Sequence, residues 1–137
     1  MNHSLKVVGE SREKMYGPRS ILVCGFSSDE RKTILNIFKN KKFKGLPIVY
    51  TTSEDRLELI KNMVIRNHES GIDSVCGLER AIIMSGLTEK ELHLTMSAYK
   101  KTKLLKPLWA TLTPTSQNWT VEALISELNN ERLHLEK

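Results

Sequence analysis

The residues best placed to do chemistry lie in two near-copies of one short pattern. Gly25-Phe26-Ser27 follows the apolar run Ser20-Ile21-Leu22-Val23-Cys24, and Gly86-Leu87-Thr88 follows Ala81-Ile82-Ile83-Met84-Ser85. A glycine corner leading from a strand into a helix start is where open α/β sheets hold anions, because the unpaired N–H groups and the helix dipole favour negative charge. Gly25, Phe26, Ser27, Gly86, Leu87 and Thr88 are therefore the first candidate site, for an anionic small molecule. Neither G-x-x-x-x-G-K-[ST] nor G-x-G-x-x-G occurs, and the bulky Phe26 and Leu87 would crowd a phosphate. A structural reading competes and is preferred: the glycines turn the chain, and Ser27 and Thr88 cap the helices.

Cys24 and Ser85 stand at the strand ends beside these corners, where a nucleophile would sit. Met84-Ser85-Gly86 lacks the first glycine of a nucleophile elbow, and no histidine is placed as a base for either residue. The four histidines are scattered and the two cysteines form no C-x-x-C pair, so no metal site, cofactor or catalytic residue is assigned. A third candidate is the stretch Thr111–Trp119, where Thr113, Thr115 and Asn118 offer hydrogen-bonding groups after the last strand. Its structural reading sets Pro114 in a turn, Asn118 or a nearby Ser or Thr as helix cap, and Trp119 against the core. The fourth is lysine-rich: Lys41, Lys42 and Lys44 in one segment, Lys101, Lys103 and Lys106 in the other. Placed on one rim, they would attract nucleic-acid phosphates. Interleaved aromatic residues are few, so solvated helix ends are the favoured reading.

The elements that must position these residues read as a duplication. Arg19 to Lys39 and Arg80 to Lys100 share Arg, Ile, Gly, Glu and Lys at matching positions. Both halves run in the same order: apolar strand, glycine, S/T-x-x-E capping box, apolar helix stripe, lysines, proline, second strand and closing helix. The closing helices are placed at residues 53–67, capped by Ser53 and lined by Leu57, Ile60 and Val64, and at the segment carrying Val121, Leu124, Ile125 and Leu128. This β-α-β-α pattern, read twice (residues 19–67 and 80–132, with a linker at 68–79), predicts an α/β fold. Its sheet is expected to be four-stranded and all parallel, in strand order 2-1-3-4, with helices on both faces. A ferredoxin-like α+β sheet is the alternative. Residues 1–18 read as an N-terminal arm, with Leu5-Lys6-Val7-Val8 as a candidate edge strand. In the parallel arrangement the two glycine corners meet side by side between the first and third strands.

The segment Arg80 to Leu128 resembles a small prokaryotic domain family of unknown function. The carrying residues are Ala81 to Thr88 with Glu91-Leu92, Pro107-Leu108-Trp109-Ala110, Thr113-Pro114-Thr115 and Asn118-Trp119-Thr120. The resemblance implies a recurring module and no activity.

Composition bounds the rest. At 137 residues, 39% hydrophobic and 27% charged, the chain has the make-up of a globular domain. It has no apolar run of membrane-spanning length and no secretory pattern at its start, which points to the cytoplasm without membrane contact. The net charge of +5 permits an anionic partner without demanding one. The expectation is a non-catalytic binding or protein-interaction module that self-associates as a homodimer. The alternatives are a small-molecule or nucleotide-binding regulator and a nucleic-acid binder.

Overall fold

The structure, a computed structural model, describes residues 13–39, 43, 45–74 and 77–135. The expected edge strand Leu5–Val8, the lysines Lys41, Lys42 and Lys44, and Cys76 lie outside the described residues. The chain runs β1 (Ser20–Cys24), α1 (Ser28–Phe38), β2 (Ile48–Tyr50), a 3-10 turn (Ser53–Asp55), α2 (Ile60–Met63), β3 (Ala81–Ser85), α3 (Glu89–Lys100), β4 (Leu108–Thr111), a second 3-10 turn (Ser116–Asn118) and α4 (Val121–Leu135).

Four strands form one open sheet in the order β2-β1-β3-β4. β1 and β3 are wholly buried along their length, as their unbroken apolar runs require. Alternate side chains feed two cores. Ile21, Val23, Ile48, Tyr50, Ile82 and Met84 meet α1 and α3 on one face, through Ile34, Phe38 and Tyr99. Leu22, Cys24, Val49, Ala81, Ile83 and Leu108 meet α2 and α4 on the other, through Ile60, Met63, Val121, Leu124 and Ile125.

The strand order is the expected one, but the sheet is mixed. β1 pairs parallel with β2 and β3 parallel with β4, whereas β1 and β3 run antiparallel. Within each β-α-β unit the helical crossover fixes a parallel pair. Between the units, residues 51–80 are long enough to deliver β3 in either direction. The antiparallel choice has an electrostatic reason. It carries Arg19, just before β1, to the start of α3, and Arg80, just before β3, to the start of α1. Arg19 then pairs with Glu91 at 2.7 Å and Arg80 with Glu30 at 2.8 Å. In a parallel pair both arginines would lie at the end of the sheet opposite both glutamates. The ferredoxin-like alternative also fails, because the 3-10 turn and α2 stand between β2 and β3.

The β1–β3 register is reciprocal. Leu22 faces Ile83, the residue 61 positions on, and Ser20↔Ser85 mirrors Cys24↔Ala81. A second contact obeys the same rule. Leu59 bridges Thr120, with Ile60 N–H donating to Trp119 O (2.9 Å) and Val121 N–H donating to Glu58 O (2.9 Å).

That second contact also corrects the closing helix expected at residues 53–67. It is broken at Leu59, which is extended and leads into the short α2. Ser53 is not the cap. Thr52 caps the 3-10 turn and forms a capping box with Asp55. Ile60 and Val64 are buried as expected, but Leu57 is 74% exposed. At α4, Thr120 rather than Asn118 does the capping, accepting from Ala123 N–H at 3.1 Å.

Candidate functional site

The glycine corners do not meet. With β1 and β3 antiparallel, Gly25 follows the end of β1 that lies beside Ala81, and Gly86 follows the end of β3 that lies beside Ser20. They sit at opposite ends of the sheet, and the expected crevice between them does not form. Each corner is filled by the chain entering the other half. Both glycines have positive φ, +79° and +67°. A Cβ at Gly25 would stand 2.4 Å from Leu78 O and 2.5 Å from Glu79 O; one at Gly86 would stand 2.3 Å from Gly17 O. Only glycine combines that conformation with that approach.

The neighbouring candidates are equally committed. Phe26 is buried, edge-on to Tyr99 at 6.3 Å, with the Arg80 guanidinium 5.9 Å from its ring centre. Leu87 is fully buried. Glu30 N–H donates to Ser27 Oγ (3.3 Å) while Ser27 N–H donates to Glu30 Oε1 (2.9 Å). Thr88 and Glu91 repeat the exchange at 3.1 and 2.9 Å. Both capping boxes are thus formed as the sequence predicts. Their glutamates also hold the arginines of the opposite half, which spacing alone does not disclose. The signal was present, however: Arg, Gly and Glu are three of the five residues shared by the two halves.

Cys24 and Ser85 are wholly buried, and Ser85 Oγ donates to Pro18 O. His93 is exposed on α3. Among the described residues no group of three His, Cys, Asp or Glu is arranged to hold a metal ion. No helix among them is long and apolar enough to cross a membrane. A shallow open groove of about 360 Å³ lies on the surface, between Ser53, Glu54, Leu57 and the Arg56–Glu122 ion pair.

Gly86 and the 113–118 loop share the carboxyl end of β3 and β4. There Thr113 and Ser116 satisfy each other: Ser116 N–H donates to Thr113 Oγ1 (2.9 Å) and Thr113 N–H to Ser116 Oγ (3.1 Å). Thr115 and Asn118 are exposed, and Asn118 Nδ2 donates to Pro114 O at 3.4 Å. Trp119 packs on the second core. The loop is internally tied, in keeping with its structural reading. The single lysine rim is also corrected. Lys39 at the end of α1 and Lys101 at the end of α3 stand at opposite ends of the sheet because β3 is reversed; Lys41, Lys42 and Lys44 lie outside the described residues. Lys101, Lys103 and Lys106 are exposed beside the start of β4.

The two edges of the sheet differ in a way the sequence reading missed. The outward backbone of β2 is covered by residues 68–71. Tyr50 N–H donates to Ser70 O (2.8 Å), Glu69 N–H donates to Ile48 O (2.7 Å) and Ile48 N–H donates to His68 Nδ1 (3.0 Å). The buried Arg31 pins this cover. Its Nη1 donates to Gly71 O at 3.1 Å and to Ser74 O, and its guanidinium lies 5.7 Å from the Tyr50 ring centre. At the position matching Arg31 the second half has Leu92, and no such cover follows β4 among the described residues. Leu108 N–H donates to the O of Arg80, just before β3, and Leu112 N–H to Met84 O of β3, which turns the backbone of Trp109 and Thr111 outward. Among the described residues nothing pairs with those outward groups. Exposed Leu105 (66%), Lys103 and Lys106 adjoin this open edge.

What the fold and its surfaces define is an α/β protein with an open mixed sheet, filled glycine corners and one strand, β4, left uncovered by the described residues. Residues 80–135 match the model of a family described as Domain of unknown function (DUF3783), which spans the second half from before β3 to the end of α4. No curated protein and no solved structure matches the chain.

Proposed function

We propose that the protein is a non-catalytic interaction module that binds an extended segment of a partner protein by adding it to β4. The observation that carries this reading is the contrast between the two edges. One is sealed by residues 68–71 and held by Arg31; at the matching edge no described residue pairs with the outward N–H and C=O groups of Trp109 and Thr111, which can accept a new strand. Strand addition draws affinity from main-chain bonds and specificity from alternate side chains. An exposed unpaired edge invites such pairing unless something blocks it. Leu105 offers an apolar contact beside the edge, and Lys101, Lys103 and Lys106 give it positive charge. The partner strand is therefore one that interleaves apolar and acidic residues.

Thr111→Pro tests this reading. The substitution removes an outward N–H that takes no part in the β3–β4 ladder, and proline is tolerated on an edge strand in that position. A displayed library of random ten-residue peptides, selected on the wild-type chain, should enrich alternating apolar–acidic sequences that lose binding to Thr111→Pro. An absence of enriched binders, or binders indifferent to Thr111→Pro, rejects the reading. Enriched binders whose sequences match this chain's own segments would direct it to self-association.

A further inference from the structure

The contact between the two halves has the form of a symmetric dimer interface. In an isologous interface, residue i meets j of the partner and j meets i. Here Arg19 meets Glu91 and Arg80 meets Glu30; Gly25 packs on Leu78–Glu79 and Gly86 on Gly17–Pro18; Ile60 donates to Trp119 and Val121 donates to Glu58. Every member of each pair becomes its counterpart by a shift of 61 positions. Leu22 faces Ile83 and Leu59 faces Thr120, each residue meeting its own counterpart on the line about which the halves exchange. We infer that the inner face of each half is self-complementary: the second half fits the second half of another copy of this chain, through Arg80–Glu91 pairs made both ways. The protein is, on this view, a homodimer of one module fused into a single chain. The family match to residues 80–135 alone supports that module as a unit.

In the native chain the tether keeps the unlike halves together at high effective concentration. Reversing the charges of one half should change partners. In Arg19→Glu/Glu30→Arg, the carboxylate placed at position 19 would face Glu91, and the guanidinium placed at position 30 would face Arg80, within a chain. Like halves from two chains would still match, Arg80 with Glu91 and position 19 with position 30. Light scattering should read twice the chain mass for this variant. Adding Arg80→Glu and Glu91→Arg should restore the monomer. A Thr120→Cys substitution in the double variant should give a chain-to-chain disulfide, absent without that substitution, because residue 120 would then meet its own copy. The positive control is Leu59→Cys/Thr120→Cys in the native chain. These residues form a non-hydrogen-bonded antiparallel pair, about 4.5 Å apart at Cα, within disulfide reach.

A double variant that stays monomeric at all concentrations beside a folded quadruple variant overturns the inference. Should the quadruple variant fail to fold, the double variant carrying Thr120→Cys decides the matter, read beside the Leu59→Cys/Thr120→Cys bridge formed in the native chain. A disulfide-linked dimer upholds self-complementarity, and its absence overturns it.

Discussion

Arg19 grips Glu91 with both prongs of its guanidinium, Nη1 to Oε1 at 2.7 Å and Nη2 to Oε2 at 2.8 Å, while Nη2 also donates to Phe43 O at 3.1 Å. The counterpart, Arg80 to Glu30, is held by one prong at 2.8 Å and is more open to solvent. Two-pronged, partly buried charge-assisted bonds are the stronger kind. Arg19→Ala should therefore cost about 2 kcal/mol of unfolding free energy, and Arg80→Ala about 1 kcal/mol or less. Double-mutant cycles against Glu91→Gln and Glu30→Gln measure each coupling. Equal costs at the two positions would contradict the difference in geometry.

The same carboxylates set the acid limit. Burial pushes Glu91 upward, but Arg19 and the Thr88 N–H hold it below its ordinary value of 4.5. Glu30 is lowered chiefly by the Ser27 N–H, with Arg80 adding to the effect. A carboxyl with a lowered folded pKa stabilises the fold above its unfolded value, and that contribution is lost as pH falls through the folded one. Urea midpoints should thus hold down to about pH 4.5 and fall below it. In Glu91→Gln the native chain's extra acid-side loss should shrink, leaving a flatter profile over the same range.

How far the fold was legible depended on whether a residue acts within its own half. The strands, the glycine corners and both capping boxes rest on local rules, so Ser27–Glu30 and Thr88–Glu91 could be read directly. The strand order followed from two similar β-α-β units. The direction of β3 did not, because nothing in an apolar run such as Ala81–Ser85 distinguishes parallel from antiparallel pairing once a long connection precedes it. Misreading that direction moved Gly25 to the wrong end relative to Gly86 and put the lysine segments on one rim. The shared arginines carried the missing information. An arginine just before each strand finds no carboxylate partner at its own end of the unit, and the reversed arrangement supplies one. The β4 edge was hidden for a different reason: it depends on none of the described residues folding over Trp109 and Thr111.

Two tyrosines govern the alkaline side. Burial pushes Tyr50 and Tyr99 up to about 12 from the ordinary 10.0. A phenol raised in the folded state contributes stability that is complete below its unfolded pKa and lost as pH rises toward the folded one. Stability should therefore decline between about pH 10 and 12, and ultraviolet titration should show both phenolates forming late or together with unfolding. Tyr50 Oη is buried without a hydrogen-bond partner among the described residues. Tyr50→Phe should accordingly be neutral, or more stable by up to about 1 kcal/mol, and should reduce the alkaline loss. A marked destabilisation would mean that the hydroxyl is bonded after all.

Gly25→Ala and Gly86→Ala separate a corner that binds a ligand from a corner that joins two halves. A ligand corner would lose binding while the fold kept its stability. At these two positions the backbone has positive φ and an added Cβ would press on main-chain atoms of the opposing half. Relief requires moving the chain that enters β1 or β3, and with it Arg19 or Arg80. Each substitution should cost more than about 2 kcal/mol, from left-handed strain plus the collision. Each should also weaken the coupling between the arginine and glutamate at that corner, Arg19–Glu91 for Gly86 and Arg80–Glu30 for Gly25. Chemical denaturation of the alanine variants, alone and with the arginine replaced, reads both effects. A cost within about 0.5 kcal/mol of zero, the usual range for an unconstrained surface site, would show that the corners do not join the halves.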